Sequence, residues 1–118
     1  MAIKIYTYKN CGTCKKAVQW LDARKIAYRE VPIRETPPSP AELKRMLKAV
    51  NGDVRKLFNT SGQDYKQLNL KEMLPGMSEK EALGLLATNG NLVKRPFVLC
   101  QGADTVGFKE ETWEPLFG

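Results

Sequence analysis

Residues Ile3-Lys4-Ile5-Tyr6-Thr7-Tyr8 alternate apolar and polar or aromatic positions, the period of a strand with one face in a core. Directly after it the period changes. Cys14, Ala17, Val18 and Leu21 recur at i, i+3, i+4 and i+7 with Trp20 beside them, so an amphipathic helix is predicted to end near Arg24. Ala27 to Ile33 is rich in β-branched and aromatic residues and is closed by Thr36-Pro37-Pro38, which reads as a second strand and a loop. A strand-helix-strand unit of this kind pairs its strands in parallel and puts the first strand-to-helix junction at the C-terminal edge of the sheet.

Ser39-Pro40-Ala41-Glu42 is a capping box with proline at the first helical position. Leu43, Met46, Leu47 and Val50 carry that helix to Asn51-Gly52. Asp53 to Phe58 reads as another short helix, and Asn59-Thr60-Ser61-Gly62 as a loop. A second capping box, Ser78-Glu79-Lys80-Glu81, opens a helix through Leu83, Leu86 and Ala87 that stops at Asn89-Gly90. Phe97-Val98-Leu99-Cys100 reads as a buried strand and Thr105-Val106-Gly107-Phe108 as its hairpin partner. Trp113, Leu116 and Phe117 form the apolar side of a closing helix. The predicted order is β-α-β, a helical stretch over about 39–90, then β-β-α: an α/β fold with a helical insertion between its halves.

Composition narrows what such a fold is for. A length of 118 residues suits a single domain, 1–118, with a core of about 1–36 and 92–118. No apolar stretch is long enough to span a bilayer, and Met1-Ala2-Ile3-Lys4 enters the first strand without a secretory apolar segment, so a cytoplasmic protein is expected. The chain has no histidine, which removes imidazole bases and histidine-containing zinc sites. Its formal charge of +6 is spread rather than clustered. That suits a small anionic substrate or an acidic protein face, and no nucleic-acid-binding motif accompanies it.

Chemistry concentrates in Asn10-Cys11-Gly12-Thr13-Cys14, where the first strand should hand over to the first helix. A sulfur at a helix N-terminus faces unpaired N–H groups and the positive end of the helix dipole, which favour thiolate. Cys11 is therefore the candidate nucleophile, and Cys14 the thiol that closes a redox disulfide with it. Zinc would want about four ligands, and only Cys100 remains to join the pair, so no metal is expected. Cys100 itself reads as a small buried hydrophobe. Lys15 and Lys16 follow on the first turns, where an ammonium group can support a thiolate. Thr13 is expected to cap the helix or donate its hydroxyl, Asn10 to orient an oxyanion or close a turn, and Gly12 to offer its amide. Trp20, Met46 and Trp113 read as core.

Asn10-Cys11-Gly12-Thr13, Glu35-Thr36-Pro37-Pro38, Val54-Arg55-Lys56-Leu57-Phe58, Lys94-Arg95-Pro96 and Val106-Gly107-Phe108 occur in the order seen in a known group. Across essentially its whole length the chain resembles the arsenate reductase (ArsC), Spx and YffB family of thioredoxin-like proteins. The resemblance implies a thioredoxin-like (glutaredoxin-like) mixed sheet with a helical insertion and a cis bond at Pro96. It also implies that Cys11 attacks an oxyanion or a disulfide, that Arg95 stabilises the oxyanion or the thiolate, and that no cofactor is bound. Glutathione with glutaredoxin, or thioredoxin if Cys14 resolves the adduct, would be the reductant, and the protein would work as a monomer. The reductases carry serine at the position of Cys14 and two further arginines; Asn59 stands at one of those places, and Lys109 or nothing at the other. Cys11-x-x-Cys14 is shared with Spx, which implies the alternative of a redox-sensing regulator that binds the C-terminal domain of the RNA polymerase alpha subunit. Gly52 lies near a glycine of the Spx contact surface, and Ser61 replaces an Spx basic residue.

Overall fold

A computed structural model describes residues 2–118; Met1, where the leaderless reading begins, lies outside them. The backbone follows the predicted order. Strand β1 (Lys4–Thr7) leads to helix α1 (Gly12–Ala23) and strand β2 (Arg29–Pro32). The insertion comprises α2 (Pro40–Ala49), a 3₁₀ turn (Val54–Leu57), α3 (Gln63–Gln67), α4 (Leu70–Met73), a second 3₁₀ turn (Leu74–Gly76) and α5 (Glu79–Thr88). A third 3₁₀ turn (Gly90–Leu92) returns the chain to β3 (Phe97–Leu99), β4 (Thr105–Val106) and α6 (Glu110–Phe117).

The four strands form one mixed sheet in the order β2-β1-β3-β4. β1 runs parallel to β2, with Tyr6 opposite Val31, and antiparallel to β3, with Tyr6 opposite Phe97. Period-two alternation divides the core. Ile3 just before β1, Ile5 on β1 and Val98 on β3 face α1 and α6, where Trp20, Trp113 and Phe117 pack edge to face. Tyr6 on β1, Val31 on β2, and Phe97 and Leu99 on β3 face the insertion and meet Leu43, Met46, Leu57 and Leu86. Burying each such large apolar side chain contributes about 1.5–3 kcal/mol.

Both capping boxes form. The Ser39 hydroxyl accepts from the Glu42 amide and the Glu42 carboxylate accepts from the Ser39 amide; Ser78 and Glu81 repeat the arrangement on α5. Gly90 closes the insertion against β2, because a Cβ there would lie 1.9 Å from the Ile33 carbonyl oxygen.

The strands are shorter than the residue pattern predicts: Ile3 and Tyr8 lie outside β1, and Ile33 lies outside β2. Ala27 and Tyr28 stay outside β2, whose first residue, Arg29, donates its N–H to the Ile3 carbonyl. Cys100 leaves β3 because its N–H donates to the Asp104 carboxylate (2.9 Å) and its carbonyl accepts from Ala103 (2.7 Å), which forms a turn. Gly107 ends β4 with φ +78°, and Phe108 then packs on Trp113. The short helix expected over Asp53 to Phe58 is 3₁₀ over Val54–Leu57.

Candidate functional site

β1 ends one residue before Tyr8, and the chain turns sharply there: the Cys11 amide donates to the Tyr8 carbonyl at 3.0 Å. Cys11 is extended (φ −95°, ψ 113°) and is the N-cap of α1, its sulfur accepting the Cys14 N–H at 3.3 Å. The cap is therefore Cys11 and not Thr13, because only the residue before the first helical one can turn its side chain back onto the first-turn amides. A sulfur that fills the role of a capping oxygen is held where negative charge is favoured. Gly12 and Thr13 are exposed on the first turn.

Cys14 lies behind Cys11, 2% exposed on the face of α1 turned to the core. Burial pushes its thiol up to about 12, and the hydrogen-bonded sulfur of Cys11 adds to the rise. A backbone hydrogen bond from Tyr8 and the charge of Arg95 act in the opposite direction. Both thiols are reduced, one partly exposed and one sheltered. Such a pair can act in sequence: the outer sulfur meets a substrate, and the inner one waits as a thiol.

Arg95 comes to the site from the start of β3. The Arg95–Pro96 bond is cis, as the resemblance implies, and Pro96 is buried with its carbonyl accepting the Gly107 amide at 2.8 Å. The guanidinium carbon of Arg95 sits 5.0 Å from the centre of the Tyr8 ring. Its Nη1 is buried and has no hydrogen-bond partner among the described residues.

Tyr8 ties the remaining parts together. Its hydroxyl accepts from Nη1 of Arg34 (2.7 Å) and from Nδ2 of Asn10 (3.2 Å), and Arg34 also lies 5.0 Å from its ring. Those bonds, Asn10's first, hold the phenol below the ordinary tyrosine range. Asn10 thus reaches the site through Tyr8. Lys15 is exposed and lines, with Tyr8, Cys14 and Glu30, a cleft of about 220 Å³ whose lining does not include Arg95. Thr13 and Lys109 line a groove of about 430 Å³ with Arg95, and Asn59 lines a separate pocket with Arg34 and Arg95.

Tyr8 and Arg34 were not among the candidates read from the sequence. Strand alternation puts Tyr8 on the face of Lys4 and Tyr6, which was signal enough for its side. Arg34 had none, because its place depends on the turn after β2. Among the described residues no group of three or more His, Cys, Asp or Glu could hold a metal, and no helix is long and apolar enough to cross a membrane.

A cysteine pair opening the first helix, a cis-proline loop at the start of β3 and a mixed sheet interrupted by helices define a thioredoxin-like protein with a helical insertion. The chain belongs to the ArsC family, whose pattern matches residues 6–116. It is 47% identical to the Bacillus subtilis protein YusI, over 97% of each chain. It is 27% identical to the global transcriptional regulator Spx of Listeria monocytogenes, over 92% of this chain and 82% of that one. An ArsC family related protein of Bacteroides fragilis superposes with TM-score 0.92 at 45% identity, covering 98% of each chain. An arsenate reductase of Vibrio cholerae superposes with TM-score 0.83 at 28% identity, covering 97% of each.

Proposed function

We propose that the protein is a thiol oxidoreductase of the arsenate reductase kind. The observation that carries this reading is the sulfur of Cys11 at the α1 N-cap, accepting an amide hydrogen bond, with a buried thiol three residues behind it. The Cys11 thiolate attacks the central atom of an oxyanion, which loses one oxygen as water, or one sulfur of a disulfide, which releases the other as a thiol; the Arg95 guanidinium and the first-turn amides of Gly12 to Cys14 balance the developing charge. Adduct formation removes the negative sulfur that had helped to keep Cys14 protonated, so Cys14 loses its proton more readily. Its thiolate then attacks the Cys11 sulfur. The pair of electrons from the bond that Cys11 had made to the substrate leaves with the substrate group, as arsenite or as a released thiol. A cellular thiol donor, glutathione with glutaredoxin or thioredoxin, returns the disulfide to two thiols. The reading needs no bound cofactor and places the protein in the reducing cytoplasm.

A second reading, a redox-sensing regulator that binds the C-terminal domain of the RNA polymerase alpha subunit, is supported by the likeness to Spx. One experiment separates the two. Arsenate-dependent NADPH oxidation is followed with glutathione plus glutaredoxin and with thioredoxin plus its reductase, for the wild type, Cys11→Ser and Cys14→Ser. Turnover that Cys11→Ser abolishes supports the enzyme; loss in Cys14→Ser with thioredoxin alone assigns the donor. Absence of turnover with both systems, alongside redox-dependent binding to the isolated alpha domain, would overturn the enzyme in favour of the regulator.

A further inference from the structure

Arg95 Nη1 is the feature that the proposed reaction leaves unexplained. A guanidinium nitrogen enclosed by protein without an acceptor carries a desolvation cost, and the half-buried Arg95 side chain keeps its place beside an open pocket in spite of it. Arg95 borders a pocket of about 300 Å³ between the end of β1, the turn after β2 and the loop before α3. Donors dominate its walls: Arg34, Arg95, Tyr8, Asn59 and Gln63. The Tyr8 hydroxyl already accepts two hydrogen bonds, which leaves its own proton to donate. Asp64 is the acid on the wall, and its Oδ2 accepts from Asn89 (3.0 Å) and Asn91 (3.4 Å). The two arginines therefore face the pocket without a carboxylate partner among the described residues.

Size narrows the ligand. The pocket holds about ten water-sized groups at ~30 Å³ each, whereas one inorganic oxyanion brings four oxygens. Two planar guanidinium groups match a carboxylate, which presents two coplanar oxygens to each fork. Tyr8 connects recognition to reaction, because its carbonyl holds the Cys11 amide while its side chain lines the pocket.

We propose that Arg34, Tyr8 and Arg95 form a carboxylate-binding pocket beside Cys11, which selects small organic thiols and disulfides that carry a carboxylate. The proposal rests on the thiol-exchange reading for its chemistry and deepens it by naming the substrate class. The Cys11 thiolate attacks one sulfur of a disulfide RSSR and releases one RS⁻. Cys14, deprotonated to solvent, attacks the Cys11 sulfur and releases the second. The dithiol is oxidised to a disulfide and RSSR is reduced to two RSH by the same two electrons.

The test has two arms. In the first, glutarate, which contains no sulfur, is titrated into Cys11→Ser protein while arginine Nε and Tyr8 resonances are followed by NMR. Saturable shifts are expected, weakened roughly tenfold or more in Cys11→Ser/Arg34→Gln, the size of one charged hydrogen bond. No saturable shift, or the same affinity without Arg34, overturns the pocket. In the second, reduced wild-type protein is mixed with oxidised mercaptopropionate and, separately, with oxidised mercaptoethanol, which differ in the carboxylate. The ratio of the two rates is expected to fall about tenfold in Arg34→Gln. It should stay at the wild-type value in Lys48→Gln, an exposed lysine on α2 that controls for net charge. An unchanged ratio in Arg34→Gln overturns the assignment. Failure of both disulfides to react, with glutarate still bound through Arg34, sinks the thiol-exchange reading and upholds the carboxylate site.

Discussion

Tyr6 on β1 and Tyr8 just past its end, two residues apart along the same row, meet opposite electrostatic surroundings. Tyr6 is 2% exposed and donates to the Glu42 carboxylate at 2.6 Å, beside Lys4, whose ammonium reaches the same carboxylate at 2.8 Å. Burial and the Glu42 bond push its phenol up. Tyr8 is half-buried at the end of the row, accepts from Arg34 and Asn10, and is held down. The first end is closed: one acid, one base and one hydroxyl satisfy each other and lock α2 to the sheet. The second carries two arginines with, among the described residues, no acid bonded to either, and it lies against the thiol pair. A strand can thus serve structure at one end and keep charge unspent at the other.

The largest effect that would break this contrast is at the sulfurs. If the Tyr8 end is the reactive one, Cys11 should be the thiol that alkylates, while Cys14, pushed up to about 12, is almost wholly protonated at neutral pH. Relative to an ordinary cysteine with pKa near ~8.5, its thiolate fraction falls on the order of 10³-fold. Iodoacetamide at neutral pH followed by peptide mass mapping should label Cys11 and spare Cys14; equal labelling of the native protein contradicts the sheltered thiol. The raised value also adds stability in the reduced state. That contribution is full below the thiol's unfolded value and is lost as pH rises toward about 12.

The closed end is tested through Glu42. Glu42→Ala strands a buried tyrosine hydroxyl, unpairs Lys4 and removes half of a capping box, and should cost about 2–3 kcal/mol in urea unfolding. Burial pushes the Glu42 carboxyl up, but the bonds from Lys4, Tyr6 and the Ser39 amide outweigh it and hold the group below its ordinary value. A depressed carboxyl stabilises the fold fully above its unfolded value of ~4.3 and loses that contribution as pH falls through the folded value. Urea midpoints should therefore drop on acidification below about pH 4.3, and less steeply in Glu42→Gln.

Much of this was legible beforehand, and the differences follow a pattern. Where a local rule fixes both ends, as in Ser39-Pro40-Ala41-Glu42 and Ser78-Glu79-Lys80-Glu81, the helices begin where expected. Residues 63–77 were expected only to be helical in general. They form α3, α4 and a 3₁₀ turn, each too short for its apolar residues to repeat at helical spacing. At the site, Cys11 and Cys14 were visible because their spacing and helix-start position are local features. Arg34 was not, since its partner, the Tyr8 hydroxyl, lies 26 residues away and the turn that aims it has no distinctive pattern.

A smaller effect sharpens the contrast spectroscopically. Phenolate formation followed by ultraviolet difference absorbance should show Tyr8 ionising first. Tyr6 should follow later, together with Tyr28, which burial and a 2.8 Å bond to Asp22 push to about 12. Tyr8→Phe should remove the earliest step, and Arg34→Gln should move it upward. A first step that survives Tyr8→Phe would mean that the charge around this ring does not set its titration.

The smallest effect concerns a second clamp on the insertion and asks whether closure by charge is general. Arg45 on α2 meets Asp104 in two bonds of 2.7 Å, from Nε and Nη2. The Arg45 side chain is 45% exposed, so water screens the pair, and Arg45→Ala should cost no more than about 1 kcal/mol. Asp104 is only 10% exposed and also accepts the Cys100 amide that turns β3 into the hairpin. Asp104→Ala should therefore cost more than Arg45→Ala, by roughly the worth of one backbone hydrogen bond, about 1 kcal/mol. Equal losses in urea unfolding would place the stabilisation in the ion pair itself. Unequal losses would show that Asp104, like Glu42, stabilises chiefly through the buried neutral donor it satisfies, and that the cation beside each acid matters less. On that view exposed Arg34 is cheap for the fold to keep at Tyr8, while Arg95, whose buried Nη1 has no partner among the described residues, is the costlier of the two.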